Sequence, residues 1–273
     1  MVLRYKQPQE EPDMRNTILV AAAFMMATTV ASSAADLPVK APVAPVSAWS
    51  WTGVYIGGNI GGGVASSHFD DPCFTCSSAT PTAGFFTGGA QIGYNYQFGS
   101  GLVGVEADVN GNSNFKSSVI GGDDSDAFTV RSNIDVSGTI RARAGLVVGN
   151  TLVYATGGAA WADVKQTGTE FCNSTTTCFT LGTSFPSGAA TGRTANFDGT
   201  KWGGVVGAGL EYMINPHFTV GAEFLHTVYA DSSAPIRDPN GSASCSSTIA
   251  ANCVLRNNLT TDVARVRFNY KLN

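Results

Sequence analysis

The fold class that the sequence predicts is all-β: an eight-stranded antiparallel up-and-down transmembrane β-barrel. Three observations predict it. From Trp49 onward the chain repeats segments whose residues alternate between apolar and polar, the mark of a strand with two unlike faces. The connections between these segments are alternately long and short. Only 13% of the 273 residues are charged, yet no run of about twenty uncharged apolar residues follows residue 30, so spanning helices are excluded there.

The first 35 residues read as a targeting segment. Arg15 precedes the apolar stretch Ile18 to Val30, and Ser32-Ser-Ala-Ala35 follows. A basic start, a short apolar middle and a small-residue end describe a secretory signal peptide cut after Ala35; an uncleaved anchor is the alternative. The polar stretch VLRYKQPQEEPD ahead of Met14 suits no such segment, and Met14 is the expected initiator. Residues 36–48 carry Pro38, Pro42 and Pro45, a density that favours an extended spacer and forbids a central strand.

Eight segments follow: 51–65, 85–98, 102–112, 133–148, 152–164, 200–214, 218–230 and 259–272. In the second, Phe86, Gly88, Ala90, Ile92, Tyr94, Tyr96 and Phe98 oppose Thr87, Gln91, Asn95 and Gln97. The third sets Val103, Val105, Ala107 and Val109 against Glu106, Asp108 and Asn110. The fourth sets Ile140, Ala142, Ala144, Leu146 and Val148 against Asp135, Ser137, Thr139, Arg141 and Arg143. The eighth sets Ala264, Val266, Phe268, Tyr270 and Leu272 against Arg265, Arg267, Asn269 and Lys271. The fifth and seventh alternate less cleanly, which leaves their facing open.

Alternation alone also fits a soluble two-sheet sandwich. The connections discriminate: 66–84, 113–132, 165–199 and 231–258 are long, and 99–101, 149–151 and 215–217 are short. Membrane barrels have long extracellular loops and short periplasmic turns, so both ends of the barrel fall on the periplasmic side. The apolar faces then meet lipid and the polar faces line the lumen.

The most informative candidate residues are the inward charges Glu106, Asp108, Arg141, Arg143, Glu211, Glu223, Arg265 and Arg267. An eight-stranded barrel is only wide enough for side chains to fill it. Opposite charges inside it form either a narrow charge-gated channel or a plug, and the width favours the plug. Arginine–carboxylate forks suit this geometry. Aromatics at Trp49, Trp51, Tyr96, Phe98, Tyr154, Tyr212, Phe218 and Tyr270 cluster near the periplasmic strand ends, where an interfacial girdle belongs.

Six cysteines fall in the long loops as Cys73/Cys76, Cys172/Cys178 and Cys245/Cys253. An even number in an exported chain favours disulfides, and pairing within each loop closes the shortest loops. A metal site at Cys73-x-x-Cys76 would need further ligands, and only His68 is near, so neither metal nor cofactor is expected. The net charge of -4 gives no reason to expect nucleic acid. GGNIGGG at 57–63 is not a dinucleotide fingerprint, and no G-x-S-x-G occurs.

The stretches AADLPVKAP, WTGVYIGGNIGGG (51–63), GGAQIGYNYQF (88–98) and LVYATGGAAWADV (152–164), with a basic-apolar last strand, resemble the opacity-protein-like outer-membrane β-barrel family of alphaproteobacteria, often labelled "porin family". The resemblance covers nearly all of residues 34–272. It implies an outer-membrane location, a surface-exposed barrel and no catalytic residues. Eight-stranded outer-membrane lipid deacylases carry a His-x-Ser pair, but His226 is followed two residues later by Val228. Where such chains end on an aromatic residue, this one has Leu272 and then Asn273. The expected role is structural or surface-directed, with a lumen closed by charged side chains. Alternatives are a weak porin for small solutes and an adhesin or ligand-binding surface protein acting through its loops. Outer-membrane lipid and the barrel-insertion machinery are the expected partners of a monomeric, non-enzymatic chain.

Overall fold

The computed structural model describes residues 49–70, 78–80, 82–113, 126–172, 177–180, 183–186, 190–235, 237 and 254–272. Residues 1–35, read as a targeting segment, residues 36–48, read as a spacer, and Cys73, Cys76, Cys245 and Cys253 lie outside the described residues.

The described residues form thirteen strands: β1 (Gly53–Asp70), β2 (Ser78–Ala79), β3 (Thr82–Phe98), β4 (Gly101–Asn112), β5 (Asp126–Val148), β6 (Thr151–Cys172), β7 (Thr177–Thr180), β8 (Thr183–Pro186), β9 (Ala190–Asn196), β10 (Gly199–Met213), β11 (Phe218–Tyr229), β12 (Ser232–Pro235) and β13 (Val254–Lys271). Eight of them, in the order β1-β3-β4-β5-β6-β10-β11-β13, pair antiparallel with their neighbours, and β13 pairs back onto β1. The closing register runs from Tyr55 opposite Lys271 to Asp70 opposite Arg256. Closure leaves the barrel wall without an unpaired edge, which hydrocarbon requires.

Two of the short turns are two-residue links, Gly99-Ser100 and Gly149-Asn150. Both glycines have φ near +59°, the left-handed conformation that tight hairpins demand and that glycine adopts without strain. The described lipid-facing wall is largely apolar. Ile60, Phe86, Val105, Ile140, Val206 and Phe268 are all more than 40% exposed.

Four features differ from the sequence expectation. First, the strands outrun their alternation. β5 and β6 stay paired from Val148 opposite Thr151 up to Asp126 opposite Cys172, well into the segments read as loops 113–132 and 165–199. Within those same stretches β9 pairs with β6, and β12 pairs with β13 inside 231–258. Apolar alternation reports contact with lipid, whereas hydrogen-bonded pairing continues into water without it.

Second, a β-bulge between Ile134 and Ser137 shifts the register against β6. The extra residue reverses facing above it. Ile134 is buried, and Asp135 sits at the rim, bonded to exposed Lys165 at 2.8 Å, rather than on the inner face with Ser137 and Thr139.

Third, two members of the expected aromatic girdle point inward. Trp51 and Tyr154 are each 3% exposed, while Tyr96, Phe98, Tyr212, Phe218 and Tyr270 remain on the outer wall. Trp51 and Tyr154 join Leu102, Leu152 and Met213, with Trp49 and Val147 against them, in an apolar layer at the periplasmic end.

Fourth, a larger apolar layer of Ala65, Phe85, Ile134, Ala160, Ala162, Val164, Val205, Leu225, Tyr229 and Leu259 fills the lumen toward the long loops. These two layers explain why segments 152–164 and 218–230 alternate poorly. The inward face of β6 passes from an apolar layer to a polar one and back to an apolar one, and that of β11 passes from the polar layer (Thr219, Glu223) to the apolar one (Leu225, Tyr229).

Glycine inside the barrel makes room for the polar layer. A Cβ at Gly93 would lie 2.2 Å from the Tyr55 hydroxyl, and one at Gly158 would lie 2.0 Å from the Ile140 carbonyl oxygen. On the outer face, a Cβ at Gly62 would meet nothing closer than 3.5 Å. Gly93→Val is therefore expected to lower the unfolding free energy in lipid vesicles by about 2–3 kcal/mol through overpacking, with Gly62→Ala near neutral. Equal effects at the two positions would contradict an interior packed to its limit.

Candidate functional site

Period-two alternation and the register of the ring bring the inward charges of five strands to one level. Glu106 and Asp108 come from β4, Arg141 and Arg143 from β5, Glu211 from β10, Glu223 from β11, and Arg265 and Arg267 from β13. All eight are buried, at most 4% exposed.

Arg141 lies at the middle of this layer. Its Nη2 donates to Glu106 at 2.5 Å and to Asp108 at 3.0 Å on the adjacent strand. Its Nη1 reaches across the lumen to Glu223 at 3.0 Å. Arg143 also crosses the lumen, donating to Glu211 at 2.8 Å, with Glu106 at 3.6 Å and its Nε on Asn95 at 2.8 Å. From the other wall Arg265 holds Asp108 at 3.0 Å and Glu223 at 2.7 Å. Arg267 donates to Glu223 at 2.8 Å and to Glu106, with Glu211 at 3.5 Å. The set balances, four guanidinium groups against four carboxylates among the described residues. Every arginine holds at least two carboxylates, and every carboxylate at least two arginines.

Neutral side chains complete the layer. The Tyr55 hydroxyl donates to Glu106 at 2.5 Å, and the Tyr154 hydroxyl donates to Glu223 at 3.0 Å. The Arg143 guanidinium lies between their rings, 4.9 Å from the Tyr55 centroid and 5.1 Å from that of Tyr154, within cation–π range. Thr139 donates to Asp108 at 2.8 Å and Asn269 to Glu211 at 3.3 Å. Low dielectric makes such bonds strong and makes an unpaired member costly.

The sequence reading brought out the eight charges but not this neutral shell. Its signal was parity. Tyr55 shares a face with Asn59, and Tyr154 with Thr156, yet an aromatic near a strand end reads equally well as girdle. Beside the charges, the lumen retains cavities of about 40 Å³, lined by Thr87, Asn110 and Thr261, and of about 10 Å³ beside Trp51 and Met213. Such volumes admit a few water molecules at most.

No group of three or more His, Cys, Asp or Glu side chains suited to a metal occurs among the described residues. His226 lies on the outer wall beside Asp262, not in the lumen, and Val228 stands where a hydroxyl nucleophile would be needed. Cys172 ends β6 and Cys178 lies in β7.

Removing one arginine strands its carboxylates in a dry interior, at a cost of about 3–5 kcal/mol. Arg141→Ala should show that loss in equilibrium unfolding from vesicles, whereas Lys165→Ala at the exposed rim should change stability by less than about 0.5 kcal/mol. Matching stabilities for the two variants would contradict a tightly coupled layer.

Comparison with known proteins agrees with this architecture. The family model described as outer membrane protein beta-barrel domain matches residues 19–271. The 31 kDa outer-membrane immunogenic protein of Brucella melitensis is 37% identical over 229 residues, 78% of this chain and 87% of that protein. The 22 kDa outer membrane protein of Rhizobium leguminosarum is 29% identical over 196 residues, 70% of this chain and 69% of that one. Among solved structures, the attachment invasion locus protein of Yersinia pestis aligns with a TM-score of 0.30 at 14% identity, over 79% of this chain and 99% of that one. A closed eight-stranded barrel with an apolar outer wall and a family match over nearly its whole length leads to one conclusion: this chain belongs to the outer-membrane β-barrel protein family and resides in the outer membrane.

Proposed function

We propose that this protein is a structural and surface-presenting barrel whose lumen passes no solute. The observation that carries the reading is the balanced network of Arg141, Arg143, Arg265 and Arg267 with Glu106, Asp108, Glu211 and Glu223 across the lumen. A solute crossing that layer would have to separate buried ion pairs, each ion then losing several kcal/mol of solvation. Apolar layers on both sides add a barrier to hydrated ions. The role left to the protein lies on its outside. It contributes a rigid cylinder to the envelope and displays the long loops, which β5, β6, β9 and β12 lift above the wall. The naming of the Brucella relatives as immunogenic outer-membrane proteins supports a surface role. On this reading the chain is a monomer without enzymatic activity, its partners are membrane lipid and the insertion machinery, and its loop cysteines pair locally.

Planar-bilayer recording tests the closed lumen. Purified wild type should give no steady conductance, and the double variant Arg141→Ala, Arg143→Ala should open a small leak. Large, stable wild-type channels would replace this reading with the porin one.

A further inference from the structure

The periplasmic mouth of the barrel is crossed by chain that does not belong to its wall. The ladder between β1 and β3 begins at Gly53, opposite Asn95. Ahead of it, residues 49–52 are tied down through side chains. The Trp51 N–H donates to Gln97 Oε1 at 2.9 Å, and the Gln97 N–H donates to Thr52 Oγ1 at 2.9 Å. From β13, the other neighbour of β1, Lys271 Nζ donates to the Ser50 carbonyl. Among the described residues, no backbone–backbone hydrogen bond joins 49–52 to the wall.

Trp51 reaches across the opening. β6 lies four strands from β1 whichever way the ring is followed. Leu152 of β6 nevertheless shares one buried apolar cluster with Trp51, together with Leu102, Tyr154 and Met213. Between the indole and the charges lies the cavity of about 10 Å³, whose lining includes Trp51, Asn95, Glu211, Thr219 and Asn269. Gly53 gives the segment its turn. Its φ of 141° is open to glycine and rarely adopted by a residue with a Cβ.

We infer that residues 49–52 form a hinged lid on the periplasmic mouth, with Gly53 as the hinge, Trp51 as the stopper, and Gln97 and Lys271 as the latch. Burial of the indole holds the lid shut. The latch bonds are only partly buried or exposed, and a segment held by so few of them opens locally at far less cost than the strand ladder. Swinging 49–52 outward about Gly53 breaks no strand pair. It leaves the ionic layer in place and lets water reach Glu211 from below. The lid is a second closure, separate from the charges, and it opens without unfolding the wall.

The test reads access to the lower cavity, not current, so it stands whether or not the lumen conducts. In full-length protein whose six native cysteines are replaced by serine, Thr219→Cys places a thiol in the cavity above Trp51. Thr261→Cys places one in the cavity on the far side of the charges. Refolded barrels in detergent micelles meet a small cationic methanethiosulfonate. Mass spectrometry follows the labelling, and heat-modifiable gel mobility reports folding. With the lid intact, Thr219→Cys should react slowly. Adding Trp51→Ala, Gly53→Ala or Gln97→Ala should speed it by about tenfold or more, while Thr261→Cys stays slow. Trp202→Ala, on the outer wall, should change neither rate. If Trp51→Ala does not fold, the hinge and latch variants, which keep the ring, decide the question. Fast labelling of Thr219→Cys with the lid intact overturns the lid. Unchanged labelling in the hinge and latch variants does so too, because Trp51 is then a fixed part of the core. Acceleration at Thr261→Cys as well is equally contrary, since the whole barrel has then loosened.

Discussion

The barrel is organised around the ionic layer at its middle. A ring of eight strands encloses a space that side chains just fill, and here that space is given to eight charges whose signs cancel. Burying so many ions is costly unless each is paired and hydrogen-bonded, and this requirement propagates outward. Glycines at 93 and 209 clear the wall where the rings of Tyr55 and Tyr154 lie against it. Tyr55 and Tyr154 are drawn inward to donate to Glu106 and Glu223 and to flank Arg143. The apolar layers at either end flank the charges, and the low dielectric around them keeps the ion pairs strong. A register slip of one residue on any contributing strand would turn its charges to lipid, so the layer also helps to specify strand alignment.

Much of this was legible from spacing alone. Period two separated Arg141 and Arg143 from Ile140 and Ala142, and the long-short alternation of connections closed the ring. What escaped had identifiable causes. Strand ends could not be read because membrane contact, not pairing, produces the apolar alternation, so β5 and β6 run past it. Asp135 was misplaced because a bulge changes parity without changing composition. Trp51 and Tyr154 were assigned to the interface because an aromatic ring suits either a girdle or the lid of a filled lumen. Only the pairing partners across the barrel, such as Arg141 with Glu223, decide between the two.

The outer and inner faces therefore serve different ends. Inside, each of the eight charges is paired with charges of opposite sign, and little space remains. Outside, the described wall is largely apolar, with His226, Asp262 and hydroxyl side chains such as Thr260 and Ser66 near its upper edge.

The central claim is that the lumen charges act as one coupled unit. A double-mutant cycle between Arg141 and Glu223, which meet across the lumen at 3.0 Å, addresses it most directly. Arg141→Met, Glu223→Gln and the double variant would be compared by equilibrium unfolding in vesicles. Coupling of more than about 1.5 kcal/mol, with the double variant well short of the sum of the singles, is the expected result for residues sharing one buried network. Additive losses within about 0.5 kcal/mol would contradict it, leaving the charges as independent lumen residues rather than a plug.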